Sequence, residues 1–145
     1  MTTDLWGFRD TKELEKSVAD MPDSILKEQI ALLGEKTEYV IYGKPTFITV
    51  RTEEIEYKIA TIFNVIVPKL DDYSKTILIM YSNPESNYPV AITVNSSFED
   101  DSEMFTPQYT CNDKESFVKA IKEILSSAEV LDVIKILYSK AAMLS

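Results

Sequence analysis

From Glu38 onward the apolar residues stop recurring at helical spacing and begin to alternate, which restricts the chain to folds that join helices to a sheet. The clearest case is "EEIEYKIATIFNVIVP". One face carries Ile55, Tyr57, Ile59, Thr61, Phe63, Val65 and Val67; the other begins as Glu54, Glu56 and Lys58 and becomes Ala60, Ile62, Asn64 and Ile66. A strand that starts polar on one face and ends apolar on both passes from a sheet surface into a covered interior. Around it, "EYVIYG" and "FITVRT" read as two short strands joined by a hairpin at Gly43-Lys44-Pro45, "TILIMYS" as the fourth strand and "VAITVNS" as the fifth. Asp71-Asp72-Tyr73-Ser74-Lys75 and "NPESNYP" are the intervening turn and loop. Short connections make an antiparallel meander the economical topology.

Helical patterns flank this region. Asp10 with Glu13 has the form of a capping box opening a helix from Thr11 to about Ala19, and a second helix is predicted from about Asp23 to Leu33, with Gly34 as its stop. Ahead of them, residues 1–10 form an apolar arm whose Trp6 and Phe8 should lie on the domain or on a partner subunit. Toward the C-terminus, Asn112 with Glu115 suggests another capping box, followed by a stripe of Phe117, Val118, Ile121, Ile124 and Leu125. Val130, Val133, Ile134 and Leu137 continue it past Ser126-Ser127, which either break or bend the helix. The fold expected is α+β over a single domain, 1–145: an N-terminal helical pair, a five-stranded, mostly antiparallel meander sheet, and C-terminal helices packed on one sheet face.

Charge is concentrated. The formal net charge is −9, and residues 96–115 hold 6 acids against 1 base. At their centre "SFEDDSEMF" places Glu99, Asp100, Asp101 and Glu103 between Phe98 and Phe105, in a connection of about 15 residues with no predicted structure of its own. The acids are consecutive and lack the glycine of a calcium loop, so a metal site is not expected. A docking surface for a basic protein fits better. Clustered carboxylates steer cationic partners and imitate the phosphates that a nuclease binds, which makes an immunity or antitoxin-like inhibitor of a toxin the concrete form of this reading. Glu99, Asp100, Asp101 and Glu103 would then meet lysines and arginines, with Phe98, Phe105 and Tyr109 as apolar anchors.

Composition narrows the chemistry further. The chain contains no histidine and one cysteine, Cys111, so histidine-assisted nucleophiles and structural zinc lack their groups, and Cys111 is expected to be a small buried hydrophobe. Three glycines, Gly7, Gly34 and Gly43, are not spaced as a phosphate loop requires, and no cofactor is expected. A sequence pI near 4.5 without a basic run argues against nucleic acid. "IATIFNVIV" is half the length of a membrane span, and "MTTDLWGFRDTKELEK" lacks a basic region followed by an apolar one, so cytoplasmic residence without membrane contact is the expectation. A non-catalytic binding module is therefore preferred. The alternatives are a self-associating homodimeric module, motivated by the apolar arm and C-terminal stripe, and an enzyme using only carboxylates.

Overall fold

Two helices open the chain in the computed structural model, which describes residues 2–94 and 106–144. Helix α1 (Thr11–Ser17) is capped by Asp10, whose side chain accepts the Glu13 N–H at 3.0 Å. Glu13 reaches back one residue further than a standard box and accepts the Arg9 N–H at 2.8 Å. Helix α2 (Pro22–Lys36) starts on a proline, whose fixed φ suits a first helical turn. It runs through Gly34, the expected stop. Termination falls instead to Thr37, whose hydroxyl lies 3.0 Å from the Leu33 carbonyl and accepts the Ile41 N–H at 3.2 Å. Glu38 and Tyr39 follow with left-handed φ of 53° and 64°. That turn lays the Tyr39 ring over Gly34, where an added Cβ would sit 3.0 Å from the ring. Gly34 therefore makes room for Tyr39.

The sheet is an antiparallel meander in the order β1-β2-β3-β4-β5. Its members are β1 (Tyr42–Thr49), β2 (Ile59–Val67), β3 (Tyr73–Asn83), β4 (Ser86–Val94) and β5 (Tyr109–Cys111). The architecture agrees with the sequence expectation, while the membership of the strands differs. Gly43-Lys44-Pro45 is not a turn; it lies inside β1, paired with Val65, Asn64 and Phe63 of β2. An edge strand tolerates proline because an N–H facing away from the sheet has no ladder partner to lose. Residues 53–58 precede β2 rather than belonging to it, and "NPESNYP" shrinks to a tight connection in which Asn83 already pairs with Ser86. Strand β5 occupies a stretch expected to be loop, pairing Tyr109 with Ile92 and Cys111 with Val90. A three-residue strand has too short an alternation to announce itself.

Helix α3 (Lys114–Leu125) begins one residue later than expected. Asp113 accepts the Ser116 N–H at 2.8 Å, and the Ser116 hydroxyl accepts the Asp113 N–H at 3.3 Å. The bond from the Ser116 N–H to the Asp113 carboxylate, and then that from the Ser116 side chain, lower the Asp113 pKa. The chain then breaks at Ser126-Ser127, and Ser127 caps helix α4 (Ala128–Met143) by accepting the Val130 N–H at 3.2 Å.

Most of the core lies between one sheet face and three helices. Leu26 and Ile30 of α2, Phe117, Ile121 and Ile124 of α3, and Leu137 and Ala141 of α4 pack with Phe63, Val65, Leu78, Met80 and Ile92. Cys111 belongs to this cluster, 2% exposed, as a small hydrophobe. Its thiol faces the Ser116 carbonyl at 3.7 Å, and burial, then Asp113, pushes its pKa up. The opposite face carries a smaller cluster of Val50, Tyr57, Ala60, Ile62, Ile79, Tyr81 and Ala91. Here residues 50–58 fold over the sheet, closed by the Val50 N–H donating to the Lys58 carbonyl at 2.8 Å. Tyr57 thus joins the face of Ala60 and Ile62, opposite to that given by simple alternation.

Two apolar features remain outside. In the N-terminal arm Leu5 is 88% and Trp6 77% exposed, the Trp6 ring lying against that of Phe8 with centroids 5.9 Å apart, while Phe8 is half-buried. Helix α4 buries Leu137 and Ala141 yet exposes Leu131, Ile136 and Tyr138.

Candidate functional site

Six of the seven sequence-derived site residues, Phe98, Glu99, Asp100, Asp101, Glu103 and Phe105, lie outside the described residues. The seventh, Tyr109, opens β5 and is half-buried. Gln108 acts as a surrogate strand partner for the end of β4: its amide oxygen accepts the Val94 N–H at 3.0 Å, and its amide nitrogen donates to the Val94 carbonyl at 3.1 Å. This pair continues the β4–β5 ladder by one side chain. Val94 and Gln108, which flank the acidic stretch in sequence, are therefore adjacent.

Beside that point is a cavity of about 210 Å³. Val94 and Tyr109 form the side nearest the acidic segment, Lys75 and Thr76 come from the start of β3, and Glu123 and Glu129 come from the last turn of α3 and the first turn of α4. The floor is apolar, with Ile77, Ile124, Val130 and Val133. Each element is held in place for a legible reason. Thr76 donates its hydroxyl proton to Asn64 Oδ1 at 2.6 Å where the β2–β3 register shifts between Phe63 and Asn64. The Ser126-Ser127 break turns α4 away from α3, so that Glu123 and Glu129 line one opening. A carboxylate in the first turn of α4 is favoured by the positive end of that helix. The Tyr109 pKa is raised, by burial first and then by the neighbouring Glu123 carboxylate, which bonds the protonated phenol.

Sequence reading missed Glu123, which hydrogen-bonds Tyr109, and Glu129, which lines the same cavity. They are isolated acids in helical stretches, and only the α3–α4 break brings them to the acidic segment's anchor point.

Two further depressions share Asp23 and Phe47. One, of about 240 Å³, is an apolar groove between α2 and β1, lined by Leu26, Ile30, Pro45 and Thr61, whose buried hydroxyl has no hydrogen-bond partner. The other, about 500 Å³ and open, extends over the β3–β4 turn, where Glu85 is paired with Lys58 at 3.5 Å. Burial raises the Asp23 pKa. Asp23 and Lys27 both line the apolar groove, and Glu85 of the open depression is the residue paired with Lys58.

Among the described residues, no group of three or more His, Cys, Asp or Glu side chains is placed to hold a metal ion, and no helix is long and apolar enough to cross a membrane. Comparison of the chain with protein-family models, with curated proteins and with solved structures finds no match.

Proposed function

We propose that the protein is a non-catalytic binding module of the cytoplasm that docks a basic protein partner, in the manner of an immunity or antitoxin-like inhibitor of a cationic toxin or nuclease. The observation that supports this reading is the Gln108–Val94 clamp, two residues that flank the acidic stretch in sequence and lie by the cavity lined by Glu123, Glu129 and Tyr109. In sequence, Glu99, Asp100, Asp101 and Glu103 fall between the two clamped residues, and Glu123 and Glu129 line the cavity beside the clamp. Such a focus of negative charge raises the encounter rate with a cationic surface and suppresses wrong partners.

The test is retention of basic proteins from native cell extract by the immobilised chain, set against the variant Glu99→Gln, Asp100→Asn, Asp101→Asn, Glu103→Gln. The native chain should retain a basic protein at low salt and release most of it at moderate salt. The variant should lose at least about tenfold in retention, given the several charges removed. Equal retention by the two proteins sinks the reading.

A second reading is favoured by the apolar surface described above. Leu131, Ile136 and Tyr138 on α4, with Leu5 and Trp6 on the arm, suit a self-associating homodimer. Sedimentation over a hundredfold range of concentration should then show a concentration-dependent dimer. A monomer throughout removes this alternative.

A further inference from the structure

We infer that the apolar groove between α2 and β1 receives Trp6 from the arm of a second copy of the chain, an inference that rests on the self-association reading above and names its contact. Guest and host each lack what the other holds. Trp6 is 77% exposed, its ring lies against Phe8 rather than in the groove, and its indole N–H has no acceptor among the described residues. The groove, about 240 Å³, is walled by Leu26, Ile30 and Pro45, and Thr61 lines it with a buried hydroxyl that has no hydrogen-bond partner among the described residues. A buried hydroxyl left without a partner destabilises the fold that holds it. An indole brings a large apolar ring with one donor at its edge, so a single side chain covers the walls and satisfies the hydroxyl. Phe47, which pairs with Thr61 across the β1–β2 ladder and is 66% exposed, is the lining side chain that turns aside to open the floor.

Charge and reach agree with this guest. Asp4 precedes Trp6 and Arg9 follows it, while the exposed Asp23 and Lys27 stand one helical turn apart in the groove lining. An arm entering with Asp4 toward Lys27 and Arg9 toward Asp23 brings opposite charges together. The reversed direction brings like charges together, so the charges fix the direction in which the arm lies. The chain from Trp6 to the start of α1 at Thr11 spans up to about 17 Å when extended, enough to leave one domain and enter the next. A two-fold axis makes the exchange reciprocal, each copy giving its arm and receiving the other's, so the same contact is made twice.

The experiment follows sedimentation and tryptophan emission of the full chain together over a hundredfold range of concentration. Trp6 is the one tryptophan in the sequence, so the emission reports on this side chain alone. As dimer forms, emission should move to shorter wavelength in step with the dimer fraction. Trp6→Ala should weaken the dimer at least about thirtyfold, the loss that marks a buried aromatic anchor. Thr61→Val keeps the shape and removes the hydroxyl. It should weaken the dimer about fivefold and raise the melting temperature of dilute, monomeric protein, because only the monomer carries the unsatisfied group. Trp6 is exposed, and an unchanged melt of dilute Trp6→Ala will show that the substitution leaves the fold intact. A dimer whose emission stays at the long wavelength of exposed indole, or one left unchanged by Trp6→Ala or Thr61→Val, overturns the inference and leaves self-association to α4. Short-wavelength emission from a monomer at every concentration means that the arm fills its own groove, which overturns the exchange. A monomer throughout with long-wavelength emission removes the self-association reading and the inference with it.

Discussion

Replacing Phe117 with alanine is expected to lower the unfolding free energy by about 3–5 kcal/mol. Phe117 is 0% exposed and sits at the start of α3, its N–H donating to the Asp113 carbonyl at 3.1 Å. It packs in the cluster that joins Leu26 and Ile30 of α2 to Val90 and Ile92 of the sheet. Removing the ring leaves a cavity that three elements would have to close together, and packed interiors relax only partly. For a domain with about 5–15 kcal/mol of stability, such a loss is a large share of the whole. Urea unfolding should show a lower midpoint at unchanged slope, and the melting temperature should fall by roughly 10 °C. A loss below about 1 kcal/mol would mean that α3 is not seated as described.

Gly43→Ala should have the next largest effect, a destabilisation of about 1–3 kcal/mol from overpacking. An added Cβ would stand 2.7 Å from Ile30 Cγ2, 3.0 Å from the Phe63 ring and 3.1 Å from the Ile30 carbonyl oxygen. The Ile30 methyl can rotate aside; the carbonyl belongs to α2 and cannot. Gly43 has no positive φ, so alanine carries no backbone strain, and by limiting the unfolded chain it would otherwise stabilise by about 0.4–1 kcal/mol. Crowding is the larger quantity, which fixes the sign. Ile30→Ala should show favourable coupling with Gly43→Ala in a double-mutant cycle, because it removes the Cγ2 methyl at that contact. Native or greater stability in Gly43→Ala would show instead that α2 can withdraw from β1.

These two positions show how far the sequence can be read. The helical stripe through Phe117, Val118, Ile121, Ile124 and Leu125 announces a buried face by its spacing; the structure buries Phe117, Ile121 and Ile124, half-buries Leu125 and leaves Val118 42% exposed at the edge of that face. Gly43 is different. Beside Lys44 and Pro45 it has the local chemistry of a turn, yet it serves a contact with Ile30, thirteen residues earlier in the chain, that no local pattern encodes. Gly34 repeats the lesson: its position suited a helix stop, and its use is to admit the Tyr39 ring. Strand β5 was illegible because Tyr109–Cys111 is too short for periodicity and exists only by pairing with Val90–Ile92.

The candidate site divides along the same line. Its acidic segment is visible in composition, since charge needs no fold to be counted. Its anchor is visible only in three dimensions, because Gln108 must reach Val94, and Glu123 must meet Glu129 across a helix break, before carboxylates and apolar floor form one cavity.

The sequence by itself determined the class of fold and the sign of the charge, both of which depend on residue type and local period. Hydrophobic alternation and helical spacing place apolar side chains on faces within a single element, so α+β architecture and a covered sheet follow from them. The tertiary structure decided which residues those faces bring together: α2, α3 and α4 on one side, residues 50–58 on the other, and Tyr109 beside two glutamates from separate helices. Contacts between distant segments depend on how whole elements pack, and the spacing of residues along one element carries no record of its neighbour.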